Sequence, residues 1–439
     1  MIGRYVEAVR EARLVRRVGR VSQVSGLCVE SIGPDALVGE SCEIVARDGT
    51  TRVRAEVVGL RGGRVILMPY NDLRGVGIGC EVVADGTLES IPVGRELLGR
   101  VLDAFGAPLD GLPPPASRET RSLRGKPVNP LSRPRVSEPQ ETGIRVIDTL
   151  LTLGRGQRVG IFSGSGVGKS TLLGMIARHV KADVNVIALI GERGREVREF
   201  VEKHLGAEGL KRSVVVVATS DEPALRRTRA AEAATTIAEY FRDCGLHVML
   251  TMDSVTRFAM ARREIGLSAG EPPTSRGYTP SVFAALPQLC ERCGTSSTGG
   301  SITALYTVLV EGDDFNEPVS DLLRATLDGH IVLSRRLAHD GHYPAIDVLQ
   351  STSRLFGDLA TADERQLAAR VVESIALHER NRAMVDIGAY KPGSNPQLDK
   401  ALETLPALNG FLRQDVAQST SRGEAWSQLR AAIAGKAAR

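Results

Sequence analysis

Residues 164–171 combine glycines, a lysine and hydroxyl groups in an order that suits phosphate. The segment reads Gly164, Ser165, Gly166, Val167, Gly168, Lys169, Ser170 and Thr171, between a short apolar run and a stretch of helical character. Glycines permit backbone angles at which successive N–H groups converge on phosphate oxygens, and the start of a helix adds its positive dipole end. Lys169 would reach the β- and γ-phosphates, and the Ser170 hydroxyl would ligate Mg²⁺. The segment therefore predicts a P-loop for a nucleotide such as ATP.

One position departs from the usual P-loop pattern. Ser163 stands where that pattern begins with a glycine, which is its most permissive position. The competing interpretation is a glycine-rich turn that only connects a strand to a helix. The lysine, the hydroxyl and both flanking elements favour the phosphate cradle.

Hydrolysis also requires a carboxylate on the metal side of the nucleotide. Asp253 ends the apolar run 247–252, where a Walker-B carboxylate that orients Mg²⁺ and its waters is expected. The alternative is an aspartate that only forms a turn. We predict a metal-side role for Asp253, with Glu196 as a further candidate.

A second carboxylate is a candidate for the catalytic base. Glu192 ends the preceding strand-like run in the string GERGREV and could accept a proton from the water that attacks the γ-phosphate. Arg193 and Glu196 could hold Glu192 in place, and we also predict a catalytic role for Arg193. The alternative is a glutamate that only satisfies the dipole of a helix N-terminus.

The remaining candidates are a cation and two aromatic side chains. A cation over the γ-phosphate is worth about 10³ to 10⁵ in rate, and Arg354, far along the chain, is the candidate. Tyr343 could stack on adenine, with Tyr390 as a second wall. The alternatives are a surface arginine and aromatic residues that pack in a core.

Composition places the chain among globular proteins of more than one domain. It has 439 residues, of which 42% are hydrophobic, 4% aromatic and 25% charged. The net charge is +4, and residues 1–20 account for it with six arginines against two glutamates. The rest of the chain is neutral, so we predict no nucleic-acid partner.

The first residues are too charged for a secretion signal, and no run of 18 apolar residues could form a membrane span, so we expect a cytoplasmic protein. Residues 1–17 predict a basic amphipathic helix. It would be either a solvated end or a docking segment for a partner or an anionic membrane surface. The six cysteines are scattered, and the Cys290/Cys293 pair is a weak metal or redox signal that favours a structural role.

Changes in pattern divide the remaining chain into four parts. Alternating runs broken by turn signals predict a small β-barrel at 18–91, an oligomerising collar whose only aromatic residue is Tyr70. A connector rich in proline follows at 92–146. Strand-like and helix-like segments alternate over 147–360, which predicts an α/β domain with a largely parallel sheet and ligands at the carboxyl ends of its strands. Residues 361–439 predict a small helical domain.

Taken together, these segments resemble a known family. VGRELLGRVLDAFGAPLDG (93–111), the P-loop, GERGREVREF (191–200), the strand before Asp253 and HYPAIDVLQSTSR (342–354) are similar to the catalytic, β-like subunits of rotary ATPases. PPTSRGYTPSVFAALPQLCERCG (272–294) and YTVLVEGDDFNEPVSD (306–321) are similar to the flagellar and type III secretion export ATPases. The resemblance covers nearly the whole chain.

The resemblance implies a homohexameric ring with a RecA-like core, an N-terminal barrel and a C-terminal helical domain. It implies that Lys169 and Ser170 bind the nucleotide and Mg²⁺, that Glu192 is the base, that Arg354 acts on the neighbouring subunit and that Tyr343 stacks on adenine. It also implies a stator-like regulator at the N-terminal helix, a central stalk, and export chaperones with their substrates at the C-terminal domain. The expected location is the cytoplasmic side of the inner membrane, peripherally on the export apparatus.

From these observations we expect an ATPase that energises protein export through a flagellar or a virulence-type secretion apparatus, with the flagellar one favoured. Alternatives are a catalytic subunit of a rotary proton-translocating ATP synthase, a hexameric nucleic-acid translocase, and a scaffold that binds ATP without hydrolysing it. The strings at 272–294 and 306–321 argue against the first, and the barrel poor in aromatic residues argues against the second.

Overall fold

The computed structural model describes residues 15–125, 128–310, 312 and 314–434. Most of the predicted N-terminal helix therefore lies outside the described residues. The predicted helix does not extend to Arg17, because the first strand begins there. Within the described ranges, no helix has both the length and the apolar character needed to cross a membrane.

The N-terminal part is a closed barrel of six strands, as predicted. Around the barrel the strands follow the order β1-β2-β5-β4-β3-β6, with antiparallel pairing throughout. Alternate side chains, such as Val53, Ala55 and Val57, point inward and form a small core. The strands are β1 (Arg17–Ser25), β2 (Cys28–Ile32), β3 (Glu40–Val45), β4 (Arg52–Arg61), β5 (Arg64–Pro69) and β6 (Glu81–Leu88).

The connector between the barrel and the central domain contributes short strands. Two pairs of them form separate antiparallel ribbons, and another short strand extends the edge of the central sheet. The strands are β7 (Ser90–Val93), β8 (Val101–Leu102), β9 (Glu119–Ser122), β10 (Pro139–Gln140) and β11 (Leu153–Gly154). One ribbon consists of β7 and β9, and the other consists of β10 and β11.

The central domain contains the predicted, largely parallel sheet, which has nine strands. Its order is β19-β18-β12-β17-β15-β13-β14-β8, with β16 paired to β17. The runs predicted from sequence form β12 (Arg158–Ser163), β13 (Val184–Glu192), β14 (Ser213–Thr219), β15 (His247–Asp253), β17 (Ser301–Leu309) and β18 (Gly329–Leu333). The others are β16 (Gly294–Thr295) and β19 (Ile346–Ser353), which pairs antiparallel with β18. The middle strands are buried on both faces, as apolar parallel strands require.

Helices cover both faces of this sheet. They are α1 (Arg145–Leu150), α2 (Lys169–His179), α3 (Gly194–Glu199), α4 (Gly206–Lys211), α5 (Ala224–Asp243), α6 (Val255–Ser268), α7 (Pro280–Glu291), α8 (Pro318–Thr326), α9 (Arg335–His339) and α10 (Phe356–Leu359). Between α3 and α4 the chain is π-helical at Phe200–Leu205. Sequence periodicity did not predict α7 and α8, which follow irregular segments.

Three helices form the C-terminal part of the chain, where the sequence predicts a small helical domain. They are α11 (Ala362–Asp386), α12 (Pro396–Leu412) and α13 (Arg422–Ile433). Capping boxes start α11 at Thr361/Glu364 and α13 at Ser421/Glu424. Apolar side chains of all three helices join the core that also contains α1 and α2. The helical domain is thus packed on the same face of the sheet as the helix that follows the P-loop.

Candidate active site

The predicted phosphate loop connects β12 to α2. Gly166 and Gly168 have φ values of 78° and 90°, where a Cβ would be strained. No side chain in the described part of the chain caps α2, so its first N–H groups remain available to an anion. Val167 is buried in the core and anchors the loop there, whereas Ser165 and Ser170 are exposed. The loop therefore fits the phosphates of a nucleotide.

Lys169, the first residue of α2, lies between two carboxylates. Its Nζ is 2.5 Å from Asp253 Oδ1 and 3.6 Å from Glu192 Oε1. Burial opposes the ammonium charge, but Asp253 and Glu192 outweigh it and raise the pKa of Lys169. The structure thus brings together three residues that are far apart in the sequence.

The two carboxylates come from neighbouring strands. Asp253 ends β15 and Glu192 ends β13, and these strands pair in parallel. Burial, followed by the charge of Asp253, raises the pKa of Glu192 to about 7. A carboxyl group with a pKa near neutrality can both accept and release a proton, as a general base must.

The predicted supports of Glu192 take a different arrangement. A hydrogen bond with Glu192 lowers the pKa of Glu196, so these two carboxyl groups are in contact. Arg193 contacts Glu196 at 3.5 Å, and 75% of its side chain is exposed. Arg193 thus supports Glu192 only through Glu196, and its exposed guanidinium is free to turn toward a ligand.

Sequence reasoning missed two residues of this site. The Thr307 hydroxyl donates to Asp253 Oδ1 at 2.7 Å from β17, and it is fully buried. Arg257, in the first turn of α6, packs against Gly191, and its buried Nε has no hydrogen-bond partner among the described residues. A threonine within an apolar strand carries no sequence signal of a functional role. The sequence clue to Arg257 is its position just after the strand that ends at Asp253.

Tyr343 lies beside the loop, as an aromatic wall requires. The side chain is 45% exposed, and a Cβ on Gly168 would lie 3.3 Å from its ring. Tyr390 is different, because its hydroxyl bonds to Asn395 and Asp399 at the start of α12. Tyr343, in contrast, accepts the main-chain N–H of Gln414, which lies beyond the other end of α12. At 1.5 Å per residue, about 20 Å of helix separate Asp399 from that end. Within one chain Tyr390 is thus held at the start of α12, and its role as a second wall for the base stays a prediction.

Arg354 lies at the opposite end of the sheet from the loop. It follows β19, whose last residue pairs with Gly329 at the amino end of β18. The loop follows the carboxyl end of β12, a parallel neighbour of β18, so at least about 15 Å of strand separates the two in one chain. Arg354 is exposed, and its guanidinium donates to the main-chain oxygen of Arg324. A single chain does not bring its own Arg354 to its own loop.

The donor set suits Mg²⁺ held jointly by protein and nucleotide. Mg²⁺ usually takes one or two protein ligands and completes its shell with phosphate oxygens and waters. Ser170 and Asp253 match that requirement. No cluster of three or more His, Cys, Asp or Glu that could hold a metal ion occurs in the described part of the chain. Cys290 and Cys293 are fully buried, and burial raises the pKa of both thiols, which fits a structural role.

Three family models match separate segments of the chain. Residues 143–353 match the nucleotide-binding domain of the ATP synthase alpha/beta family, and residues 21–86 match its beta-barrel domain. Residues 360–431 match the C-terminal domain of the T3SS EscN ATPase.

Similar proteins of known name extend over almost the entire chain. A flagellum-specific ATP synthase of Bacillus subtilis is 52% identical over 93% of both chains. A type 3 secretion system ATPase of Xanthomonas euvesicatoria is 49% identical over 92% of this chain and 91% of its own. The assembled ATPase EscN of enteropathogenic E. coli superposes with a TM-score of 0.90 at 42% identity, covering 94% of this chain and all of its own. EscN in complex with its central stalk EscO gives a TM-score of 0.87 at the same identity and coverage.

Proposed function

Because the chain belongs to the ATP synthase alpha/beta family, and within it to the flagellum-specific and type III secretion ATPases, we propose that it hydrolyses ATP to energise protein export. The export apparatus would be flagellar or a virulence-type secretion system. The observation that carries the proposal is the meeting of Lys169, Asp253 and Glu192 beside the uncapped start of α2. These are the groups that phosphoryl transfer to water requires.

The roles follow from the positions of the side chains. The N–H groups of residues 164–171 and the Lys169 ammonium bind the phosphates. Ser170 and Asp253 would hold Mg²⁺, which would neutralise charge that develops on the phosphate oxygens. Glu192 accepts the proton of the attacking water, and Glu196 holds its carboxyl group through their hydrogen bond. Arg193 adds positive charge at the rim, and Tyr343 stacks on the base.

The active site is completed by a second copy of the chain. Arg354 is exposed and lies at the far end of the sheet from its own loop, which supports a role on the loop of a neighbour. We therefore propose a homohexameric ring in which each seam joins the loop of one protomer to the Arg354 of the next. The relative EscN is described as an assembled ATPase, which is consistent with such a ring.

The proposed partners follow the three parts of the chain. A central stalk protein would contact the ring, since EscN is known in complex with its central stalk EscO. A stator-like regulator would bind the basic N-terminal segment, and export chaperones with their substrates would bind the helical domain. The ring would lie in the cytoplasm, on the inner-membrane export apparatus, without a nucleic-acid partner.

Complementation between two inactive chains tests the shared site. Lys169→Ala removes the cradle function, and Arg354→Ala removes the cation, so each variant alone is expected to be inactive. In a random one-to-one mixture, about one quarter of the seams join an intact loop to an intact arginine. The mixture should therefore recover about a quarter of wild-type ATP hydrolysis, while each variant mixed with itself recovers none. No recovery in mixed rings, or full activity of dilute monomer, would contradict the proposal.

A further inference from the structure

The loop between α12 and α13, residues 413–421, contains a buried glutamine that bonds in four directions. Gln414 is 5% exposed. Its side-chain oxygen accepts the N–H of Arg145 at 2.9 Å, and its amide donates to the carbonyl oxygens of Gly143 at 2.8 Å and Gln418 at 2.9 Å. Its own main-chain N–H donates to the carbonyl oxygen of Tyr343 at 2.9 Å.

The same loop is also attached to the helix that follows the phosphate loop. Arg178 of α2 donates to the carbonyl oxygen of Val416 at 2.9 Å. Arg145 adds a bond from its guanidinium to the carbonyl oxygen of Arg413. Residues 413–416 are therefore bonded to α1, to α2 and to the segment that carries Tyr343.

The bond to Tyr343 comes from the main chain of Gln414, so almost any residue at position 414 could form it. What places that N–H is the side chain, whose three bonds fix it against residues 143–145 and 418. The ring of Tyr343 is half exposed and lies beside the phosphate loop at Gly168. Its main chain therefore needs an external support if the ring is to face a bound base.

We propose that Gln414 is a positioning residue that holds Tyr343 in place to stack on the base of the bound nucleotide. This inference rests on the proposed function, in which Tyr343 forms the base subsite. Gln414 touches neither the phosphates nor the reacting atoms, so its contribution is to the affinity for the nucleoside part of ATP. It also makes that affinity depend on the C-terminal domain, since the loop 413–421 belongs to it.

The test separates binding of the base from binding of the phosphates. Gln414→Met removes all three side-chain bonds at similar volume, and Gln414→Glu keeps the acceptor for Arg145 but removes both donations. Stacking of an aromatic ring on a base contributes strongly to affinity, so we expect the KM for ATP to rise about tenfold with kcat changed less than twofold. The affinity for inorganic tripolyphosphate, which lacks a base, should stay within twofold of wild type.

Two control variants make the outcome specific. Tyr343→Ala should weaken ATP binding and leave tripolyphosphate binding unchanged, and adding Gln414→Met to it should cost little more, because both act on one contact. Gln418→Ala should behave as wild type, because the side-chain oxygen of the exposed Gln418 accepts the Asp415 N–H at a long distance of 3.4 Å and the main-chain oxygen that Gln414 uses is kept.

Each result has a defined meaning. If Tyr343→Ala does not discriminate ATP from tripolyphosphate, the base subsite in the proposed function is wrong. If Tyr343→Ala discriminates and neither Gln414 variant does, or if both ligands weaken equally in them, the role of Gln414 is refuted. Should Gln414→Met fail to fold, as judged by its thermal transition, Gln414→Glu decides the question.

Discussion

Lys169, Asp253 and Glu192 share one small volume at the carboxyl ends of the strands, where the charges of their neighbours alter the pKa of Lys169 and of Glu192. Burial, and after it the charge of Asp253, acts against ionisation of Glu192, and the Lys169 ammonium offsets this only in part. The result is one carboxyl group whose pKa lies near neutrality. A group in that state is suited to remove a proton from water.

Glu192 should therefore set the acid side of the pH profile. A base acts in its deprotonated form, and burial with the charge of Asp253 raises the pKa of Glu192 to about 7. We expect kcat/KM for ATP to increase roughly tenfold between pH 6 and pH 8, with a midpoint near pH 7. The measurement is the steady-state rate of phosphate release across this range.

The matched variant is Glu192→Gln. It should bind ATP as tightly as wild type and hydrolyse it about 10² to 10⁴ times more slowly. A rate close to wild type, or a wild-type profile that is flat through pH 7, would exclude Glu192 as the base.

Thr307 should matter for Asp253 although it is buried in a strand. Its hydroxyl donates to the carboxylate at 2.7 Å, and hydrogen bonds to charged groups contribute about 1.5–3 kcal/mol. Thr307→Val should therefore lower kcat about tenfold or more and raise the Mg²⁺ concentration needed for half-maximal rate. Thr307→Ser keeps the hydroxyl and should restore most of both. Equal behaviour of the valine and serine variants would show that this bond does not position Asp253.

At the scale of elements, the helix after the phosphate loop is held by close contacts that sequence periodicity does not show. Gly174 of α2 lies directly against the π-helical turn 200–205, where a Cβ would be 2.6 Å from the Cβ of His204. Arg178 then bonds to the carbonyl oxygen of His204 at 2.9 Å. The segment that follows Glu192 is thereby packed on the helix that begins with Lys169.

Gly174→Ala should disrupt this packing. The added methyl group would also lie 3.0 Å from the main-chain oxygen of His204, which leaves no room without displacing one helix. We expect a loss of about 1–3 kcal/mol in the free energy of unfolding, measured by denaturant titration. Gly410→Ala in α12, where a Cβ meets nothing within 4 Å, should stabilise the protein by up to about 1 kcal/mol. A neutral Gly174→Ala would mean that the two helices can separate at no cost.

Comparison of sequence and structure at this scale shows which signals were sufficient. Long apolar runs predicted the six principal strands of the sheet. The phosphate-loop motif also indicated the strand before it and the helix after it. β8 and β16 have only two residues each, and β19 includes polar positions exposed at an edge, so none of them has a strong period. The supports of the site, Thr307, Arg257 and Gln414, were missed because their partners lie far away in the sequence and meet them only in the fold.

At the scale of the whole molecule, a buried ion pair links the barrel to the central domain. Glu89, between the barrel and the connector, accepts Arg54 of β4 through both oxygens at 3.1 and 3.0 Å and also binds Arg229 of α5. Glu89 and Arg229 are 8% and 3% exposed. Arg229 also donates to the carbonyl oxygens of Ala104 and Ser90, so its guanidinium connects α5 to both of these segments.

Glu89→Ala should loosen this connection. It would leave Arg229 buried without its carboxylate, a change that typically costs about 3–5 kcal/mol. We expect a lower melting temperature and a separate, earlier transition of the barrel in calorimetry. Glu43→Ala breaks an exposed pair with Arg52 in the same barrel and should cost less than about 1 kcal/mol. Two variants with the same melting temperature would show that the buried pair does not join the domains.

The antiparallel course of β19 has a consequence for counting catalytic units. If each Arg354 serves the next chain as proposed, every protomer has one donating end and one receiving end, and the contact is head-to-tail. An open row of n protomers then has n − 1 working junctions, and closing the row adds the last. Activity per chain would rise from half its final value in a dimer toward unity in the closed circle, so the size of the assembly by itself would regulate turnover.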